Sequence, residues 1–357
     1  MTQQTQLDEA KLEAFMGKVI GDLGGTMAFL MSHMGDRLGL FKELDANGPA
    51  TSQELADRAN INERYAREWL GGLASAGYLE YEPATQRFTL PAEHAPALAH
   101  ESGPMFVGSI FGMIPHMIEP MDQLIEAFKN GGGVSQGEYS SGMFRGIERL
   151  SAGWFENHLV QEWIPATSDI GPKLEQGVAV ADLGCGSGQA VIKLAEAFPN
   201  STFIGYDIHA PSLERAANNA ADASVSDRVE FKQADASGGL PAQYDVITTF
   251  DVIHDSADPR GLFKTIREGL KPDGTYLLVD INCSDKVEEN AGPLGTAFYG
   301  FSLAYCMTVS LAEGGEGLGT VGLPPSKVRE LGAEAGFTTI NQLEIENPFN
   351  NIYELKV

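Results

Sequence analysis

Cysteine is scarce in this chain of 357 residues, which has three cysteines and no C-x-x-C pair. Structural zinc sites and redox motifs rely on closely spaced cysteines, and small secreted domains rely on several disulfide bonds. Cys185, Cys283 and Cys306 are instead scattered along the sequence. The sequence therefore predicts neither a zinc site nor a disulfide framework, and it favours a reducing compartment.

Basic residues are also in short supply, with 24 lysines and arginines against 49 aspartates and glutamates. The formal net charge is −25 at pH 7. A surface of this sign repels nucleic acid and anionic membranes rather than attracting them. We therefore expect no membrane partner, and nonspecific binding to DNA is disfavoured.

The N-terminal region lacks a long apolar run. The longest stretch near the start, residues 23–31, is far shorter than the roughly 20 residues that cross a bilayer. Asp8, Glu9 and Glu13 occupy positions where a secretory signal would place basic and then apolar residues. These absences predict a cytoplasmic protein, and its length allows two or three domains.

A glycine-rich stretch organises the second half of the chain. Residues 178–188 read V-A-V-A-D-L-G-C-G-S-G, and a helical pattern begins directly after them at Ala190. That order predicts a strand, a tight turn and a helix. Glycines let the turn adopt positive φ and let a ligand approach the backbone, while the helix points its free N–H groups at the turn. The pattern predicts a nucleotide-like ligand, and a turn that serves packing alone is the alternative.

Acidic residues close two further predicted strands. Residues 202–207 end in Asp207, about 20 residues after the glycines, a position that suits ribose hydroxyls. The next strand, predicted over residues 229–236, brings Asp235 to a place where it can meet an adenine amino group. The remaining strands and helices are predicted over residues 189–198, 211–223, 244–250, 259–270 and 274–280. This alternation predicts an α/β fold with a parallel sheet and helices on both faces.

The sequence D-L-G-C-G-S-G, followed by these acids, resembles the class I S-adenosylmethionine-dependent methyltransferases. The NAD-binding pattern G-x-G-x-x-G fits less well, because Gly188 falls one residue early. The resemblance implies a Rossmann-like methyltransferase sheet over residues 178–357 with an antiparallel last strand. It also implies S-adenosyl-L-methionine as the cofactor and no metal ion. The residues it implies for cofactor binding are Asp182, Gly184, Gly186, Gly188, Asp207, Ile208, Asp235, Ala236 and Phe250.

The segment I-H-D-S-A-D-P after the fourth strand resembles the H-D-W-S-D segment of plant-type O-methyltransferases. Ser256 and Ala257 stand where that family has tryptophan and serine. The resemblance implies that His254 is the catalytic base and that Asp255 is a second catalytic residue. Either Asp255 or Asp251 is expected to orient the imidazole ring. We therefore expect O-methylation of a small-molecule acceptor, with N- or S-methylation by proximity as alternatives.

The N-terminal part is predicted to be mostly helical after a loose polar tail of residues 1–6. Apolar residues recur at helical spacing over residues 7–44. Four glycines, Gly21, Gly24, Gly25 and Gly35, interrupt this pattern and predict two or more helices.

Residues 51–90 have the helix, helix, hairpin order of a winged helix, opened by the capping box T-S-Q-E. The whole chain resembles a bacterial group of winged-helix methyltransferases through N-E-R-Y-A-R-E-W-L-G-G-L and C-M-T-V-S-L-A-E-G-G-E-G-L-G-T. Residues 50–95 carry four arginines and seven acids, a net charge of −3, whereas a DNA reader needs a basic face. We therefore expect residues 1–100 to form a homodimer. A transcriptional regulator that binds S-adenosylmethionine as a ligand is the alternative.

Two regions are expected to shape an acceptor pocket. Residues 101–177 are predicted as a helical linker that covers the cofactor and the acceptor, with Pro115 and Pro120 bounding one short helix. Residues 282–323 are predicted as a lid insertion between the fifth strand and the last helix. The candidate acceptor-binding residues are Tyr139, Phe144, Trp154, Phe298, Tyr299 and Met307.

A metal-dependent methyltransferase is a further alternative. Asp251, Asp280 and Asn282 lie near the ends of neighbouring predicted strands, and oxygen ligands suit magnesium. Their spacing fits that type of enzyme poorly. We therefore predict that these acids cap strands or contact the cofactor.

Overall fold

The computed structural model describes residues 7–357 and divides them into two compact units, one up to Pro115 and one from His116 to Val357. The predicted polar tail of residues 1–6 lies outside the described residues.

The first unit opens with one long helix, α1, Glu9–Arg37, where a break had been predicted. Gly21, Gly24 and Gly25 lie within it, and a Cβ at any of them would meet nothing within 4 Å. Glycine in an exposed helix costs only about 1 kcal/mol relative to alanine, so the helix continues through all three. The chain turns at Gly39, whose φ is +70°. Two helices therefore cover residues 9–47, as predicted, but the break falls at Gly39 rather than at the glycines within α1, which include Gly35.

Short helices and a hairpin complete the first unit in the winged-helix order predicted. The Thr51 hydroxyl accepts from the Glu54 N–H at 3.3 Å while the Glu54 carboxylate accepts from the Thr51 N–H at 2.9 Å, which confirms the capping box. In the hairpin, Tyr81 pairs with Phe88 across antiparallel strands. These elements are α2 Leu40–Asn47, α3 Ser52–Ala59, α4 Glu63–Ser75, β1 Glu80–Glu82, β2 Arg87–Thr89, α5 Ala95–Leu98 and α6 Gly108–Met117.

Helix α6 differs from its prediction, because Pro115 lies inside it rather than at its boundary. Proline lacks one backbone donor and can bend a helix without ending it. The helix ends at Met117, three residues before Pro120.

A seven-stranded sheet forms the centre of the second unit, in the order β5-β4-β3-β6-β7-β9-β8. Strands β3 to β7 pair in parallel, and β9 pairs antiparallel to both β7 and β8. The predicted Rossmann-like α/β fold is confirmed. The strands are β3 Ala179–Leu183, β4 Thr202–Asp207, β5 Val229–Gln233, β6 Tyr244–Phe250, β7 Leu270–Ile281, β8 Thr339–Gln342 and β9 Asn350–Lys356.

Helices cover both faces of this sheet. Trp163 and Leu194 belong to one buried cluster, and Phe263 and Leu331 belong to the other. The helices are α7 Met121–Asn130, α8 Ser141–Trp154, α9 Ile164–Ala166, α10 Ile170–Gln176, α11 Gln189–Ala197, α12 Ala210–Asp222, α13 Pro259–Gly269, α14 Gly292–Phe301, α15 Met307–Ala312 and α16 Pro325–Ala335. Two further segments are π-helical, Phe155–Trp163 and Ser302–Cys306.

The predicted insertion after β7 is present and largely helical. It contains α14, the π-helical segment Ser302–Cys306 and α15. By length and composition alone, residues 292–312 could cross a membrane. In the structure this run packs on its own unit: the Thr308 hydroxyl accepts from the Val134 N–H at 2.9 Å, and the Ala304 carbonyl accepts from the Tyr139 hydroxyl at 2.7 Å.

Candidate functional site

The glycine-rich turn between β3 and α11 has the backbone that its sequence requires. Gly184, Gly186 and Gly188 have φ values of +70°, +52° and +76°. A Cβ at Gly184 would meet Val252 at 2.5 Å, and one at Gly188 would meet Phe231 at 2.6 Å. A Cβ at Gly186 would meet nothing within 4 Å, so the chain leaves open space over the middle of the turn.

Asp207 links the end of β4 to this turn. One carboxylate oxygen accepts from the Gly186 N–H at 2.7 Å and the other from the His209 N–H at 2.8 Å. The next side chain, Ile208, is exposed. A fixed carboxylate beside an exposed apolar side chain suits the ribose and the adenine face of a nucleoside.

Asp235 follows β5 but does not lie in the strand, which ends at Gln233 rather than at Ala236 as predicted. Its side chain caps the 3₁₀ turn Ala236–Gly238, accepting from the Ser237 N–H at 2.9 Å. Aspartate competes for backbone donors in this way and favours caps over strands. The carboxylate is exposed, so it remains available to a ligand.

Asp182 lies buried beneath the turn at the end of β3. It accepts from the Thr248 hydroxyl at 2.6 Å. Burial raises the pKa of Asp182 to about 7. A positively charged ligand group above the turn would favour the ionised carboxylate.

His254 and Asp280 form a buried pair at the carboxyl end of the sheet. His254 Nδ1 lies 2.7 Å from Asp280 Oδ1, which also accepts from the Ile281 N–H at 2.8 Å. The exposed fractions of the two residues are 3% and 1%. Burial alone lowers the pKa of His254, but the Asp280 carboxylate and the Cys306 thiol outweigh it and raise that pKa well above its ordinary value.

The prediction that Asp255 or Asp251 orients His254 is wrong, because Asp280 does so. Strands β6 and β7 are parallel neighbours, which brings the loop after β6 beside the end of β7. Asp251 instead accepts from the Asn350 amide at 2.7 Å and has a φ of +56°. Burial raises the pKa of Asp251 and of Asp255 to about 7.

The metal set considered from the sequence does not assemble. Asn282 is exposed, and its amide donates to the Asn347 carbonyl at 3.0 Å. Asp251, His254 and Asp280 have potential ligand atoms within 4.8 Å of one another, but Asp280 already bonds the imidazole. This pairing favours proton transfer at His254.

The π-helical segment of the insertion forms a wall of the site. Burial and the nearby Asp255 carboxylate raise the pKa of the Tyr305 hydroxyl. Cys306 contributes to the raised pKa of His254, so it lies beside the imidazole. Tyr139 packs edge-on against Tyr305, with ring centroids 4.9 Å apart. The sequence candidates omitted Tyr305 and Cys306, although the aromatic content of the insertion pointed to this stretch. π-helical turns are rare and often lie at functional sites.

The other acceptor candidates are dispersed. Phe144 stacks on His209, with ring centroids 4.1 Å apart, and so lies near Asp207. Trp154 stacks on Phe349. Tyr299 lines a surface cleft with Asp285 and Lys327.

Two further acceptor candidates are Phe298 and Met307, and one further cofactor candidate is Phe250. Phe298 is buried in α14, and Met307 is half-buried at the start of α15. Phe250, expected to bind the cofactor, packs edge-on against Phe155. Of the acceptor candidates, Tyr139 is therefore the one whose ring packs against Tyr305 in the wall beside His254.

The end of the insertion holds the loop after β6 in place. The Gly319 N–H donates to the His254 carbonyl at 2.8 Å, and the Glu316 N–H donates to the Ala257 carbonyl at 3.1 Å. The Ser310 hydroxyl donates to the Ser256 carbonyl at 2.9 Å. The insertion thus fixes the loop at Ser256 and Ala257, the positions where the plant-type motif has tryptophan and serine.

Comparison with known proteins agrees with this geometry. A family described as "Methyltransferase domain" matches residues 174–308, and the "Rv2258c-like winged HTH domain" family matches residues 25–100. The ubiquinone biosynthesis O-methyltransferase of Leptothrix cholodnii is 32% identical over 133 residues, which are 36% of this chain and 54% of that protein. The chain spans about half or less of the length of the first curated relatives it matches.

Solved structures share the fold over nearly the whole chain. The mitomycin 7-O-methyltransferase has a TM-score of 0.70 at 19% identity, covering 98% of this chain and 100% of its own. Human N-acetylserotonin methyltransferase in complex with SAM has a TM-score of 0.71 at 18% identity, with 99% of each chain covered. Together with the glycine turn and its acids, these matches show that the chain carries an S-adenosylmethionine-dependent methyltransferase domain of class I fold, preceded by an Rv2258c-like winged-helix domain.

Proposed function

We propose that this protein transfers a methyl group from S-adenosylmethionine to a hydroxyl oxygen of a small molecule, with His254 as general base. The observation that carries the proposal is the buried His254–Asp280 pair, at 2.7 Å, on the sheet that also carries the glycine-rich turn. A carboxylate on Nδ1 leaves Nε2 as the nitrogen that accepts a proton. The scarcity of cysteine supports a cytoplasmic location for this chemistry.

The residues around the turn fit the cofactor. Gly186 leaves open space, Asp207 offers acceptors for ribose hydroxyls, and Asp235 offers an exposed carboxylate beyond β5. S-adenosylmethionine, when bound, supplies a methyl group on a positively charged sulfur. Asp182 provides a buried carboxylate at the same end of the sheet.

His254 would receive the hydroxyl proton as the acceptor oxygen gains its methyl group. The imidazolium formed in this way is stabilised by Asp280, whose Oδ1 is held in place by the Ile281 N–H. Burial limits the access of water to the imidazole, since His254 is 3% exposed. In this scheme Asp280 positions the base, and Asp255 contributes charge beside it.

The experiment that tests this proposal is the formation of S-adenosylhomocysteine from S-adenosylmethionine with a panel of phenols, thiols and amines, followed by mass spectrometry. We expect turnover with phenols, because a base next to the acceptor chiefly assists the loss of a hydroxyl proton. Turnover confined to thiols or amines would instead support methylation by proximity.

We also propose a homodimer formed through the N-terminal domain, residues 1–100. Helix α1 exposes a continuous set of large apolar side chains, including Phe15, Ile20 and Leu23, whose exposed fractions are 60%, 65% and 58%. Apolar patches of this kind are typical of protein interfaces. We expect light scattering at micromolar concentration to give twice the chain mass of 38.3 kDa.

A matched pair of variants distinguishes the loss of apolar surface on α1 from the mere addition of negative charge to that helix. Phe15→Glu with Ile20→Glu should give monomers, because each places a charge within the apolar set. Lys18→Glu adds negative charge at an exposed position on the same helix and should leave the dimer intact. A monomeric wild-type protein would refute the proposal.

A further inference from the structure

Three carboxylates surround the proposed base at the carboxyl end of the sheet: Asp251, Asp255 and Asp280. One oxygen of Asp280 bonds His254, and its other oxygen, Oδ2, is buried with no hydrogen-bond partner among residues 7–357. Asp280 is 1% exposed. A buried carboxylate oxygen without a partner is a strong acceptor, and it favours donors or positive charge nearby.

Cationic side chains do not balance these acids. In the described part of the chain, the ionisable neighbours that act most strongly on the pKa values of Asp251, His254 and Asp255 are Asp280, Asp207, Cys306 and one another. None of these neighbours is a lysine or an arginine. Asp251 and Asp255, with pKa values of about 7, are partly ionised near neutral pH. Together with Asp280 they leave the site with a net negative charge, which a single imidazole offsets only in part.

The basic residue nearest to His254 in the sequence pairs with other acids. Arg260 lies shortly after the loop that follows β6, and its guanidinium pairs with Glu316 at 3.1 Å and with Glu330 at 2.8 Å. The wall residues Tyr139, Tyr305 and Cys306 are uncharged in their ordinary states, and burial raises the pKa of Tyr139 to about 12. An anionic acceptor would thus enter a negative, poorly hydrated site without a partner for its charge.

We propose that this site selects its acceptor by charge, taking hydroxyl compounds that are uncharged or cationic near the reacting oxygen and rejecting those that carry a carboxylate or phosphate there. This inference rests on the proposed methyl transfer and narrows its substrate class. The selection arises from Asp251, Asp255 and Asp280 together rather than from any one contact.

Three acceptors that share one dihydroxyphenyl ring and carry a negative, a neutral and a positive side chain test the selection: a dihydroxycinnamic acid, its methyl ester and its aminoethyl amide. We expect kcat/KM, measured by release of S-adenosylhomocysteine, to be at least about tenfold higher for the ester and the amide than for the acid. Asp255→Asn should bring the kcat/KM values for the ester and the acid closer together. Asp258→Asn is the matched control, because that exposed side chain caps α13 through the Gly261 N–H and should leave the ratio unchanged. An acid methylated as efficiently as its ester by the wild-type protein would overturn the inference and leave methyl transfer standing.

A second measurement does not depend on turnover. Cys306 lies beside His254 and is the one cysteine of the described residues that is not buried. Iodoacetamide and iodoacetate alkylate thiols and differ by one negative charge. In His254→Ala, which removes the imidazolium beside the thiol, peptide mass spectrometry should show that the ratio of carboxymethylation to carbamidomethylation at Cys306 is at least about tenfold lower in the folded protein than in the urea-unfolded chain. Equal ratios would overturn the inference whether or not a methyl acceptor is found.

Discussion

His254→Ala is expected to lower turnover by about 10²–10⁴-fold while leaving the affinity for S-adenosylmethionine nearly unchanged. The imidazole is the group placed to take the acceptor proton, and its Nδ1 is held by Asp280 at 2.7 Å. The glycine-rich turn and Asp207, which are expected to hold the cofactor, are hydrogen-bonded to each other and not to His254. Calorimetry with S-adenosylmethionine and initial rates with a phenol measure the two quantities separately.

His100→Ala is the matched control, because this exposed histidine of the first unit pairs with Asp45. It should leave turnover unchanged. The pH profile adds a second check: only the neutral imidazole accepts a proton, so turnover rises with pH through the His254 pKa, which Asp280 raises. In Asp280→Asn that rise should move to lower pH. Turnover of His254→Ala within a few-fold of wild type would show that the acceptor needs no base.

Asp207→Ala is expected to weaken binding of S-adenosylmethionine by roughly 10- to 150-fold. The loss of one partner in a hydrogen bond to a charged group costs about 1.5–3 kcal/mol. The effect combines lost contacts to the ribose with a loosened turn, since Asp207 accepts from both the Gly186 and the His209 N–H groups. Calorimetry with S-adenosylhomocysteine gives the same comparison without turnover.

Asp222→Ala, at the exposed end of α12, is the control for loss of an acid from the same unit. Melting temperatures without cofactor show how far Asp207→Ala destabilises the fold. The change in cofactor affinity is attributed to the lost contacts only if the variant remains folded at the temperature of the binding measurement. Unchanged cofactor affinity in Asp207→Ala would contradict the placement of the ribose. Tight binding of NADH with none of S-adenosylhomocysteine would contradict the cofactor itself.

Features that depend on neighbouring residues in the sequence were predictable. The glycines at 184, 186 and 188 need positive φ, and the apolar run before them and the helical pattern after them leave few other folds for that stretch. The boundaries of β4 and β6 match the prediction residue for residue, because an apolar run and a polar end define each strand locally. The capping box at Thr51 is equally local.

Features that depend on strand order were not predictable. The partner of His254 is 26 residues away at the end of β7, and it is found only when β6 and β7 are known to be neighbours. The wall formed by Tyr305 and Cys306 depends on a π-helical turn that widens the helix there, and no local pattern announces it. Tyr299, six residues before Tyr305, lines a surface cleft instead.

The fate of a deuterated methyl group tests the central claim most directly. The protein is incubated with S-adenosylmethionine carrying a trideuterated methyl group and with a neutral phenol that it turns over, and the products are identified by mass spectrometry. The account predicts one trideuteromethyl group on the phenolic oxygen for each S-adenosylhomocysteine formed, and loss of both products in His254→Ala. Binding of S-adenosylmethionine without S-adenosylhomocysteine from any phenol, or label found on nitrogen or sulfur acceptors alone, would contradict it.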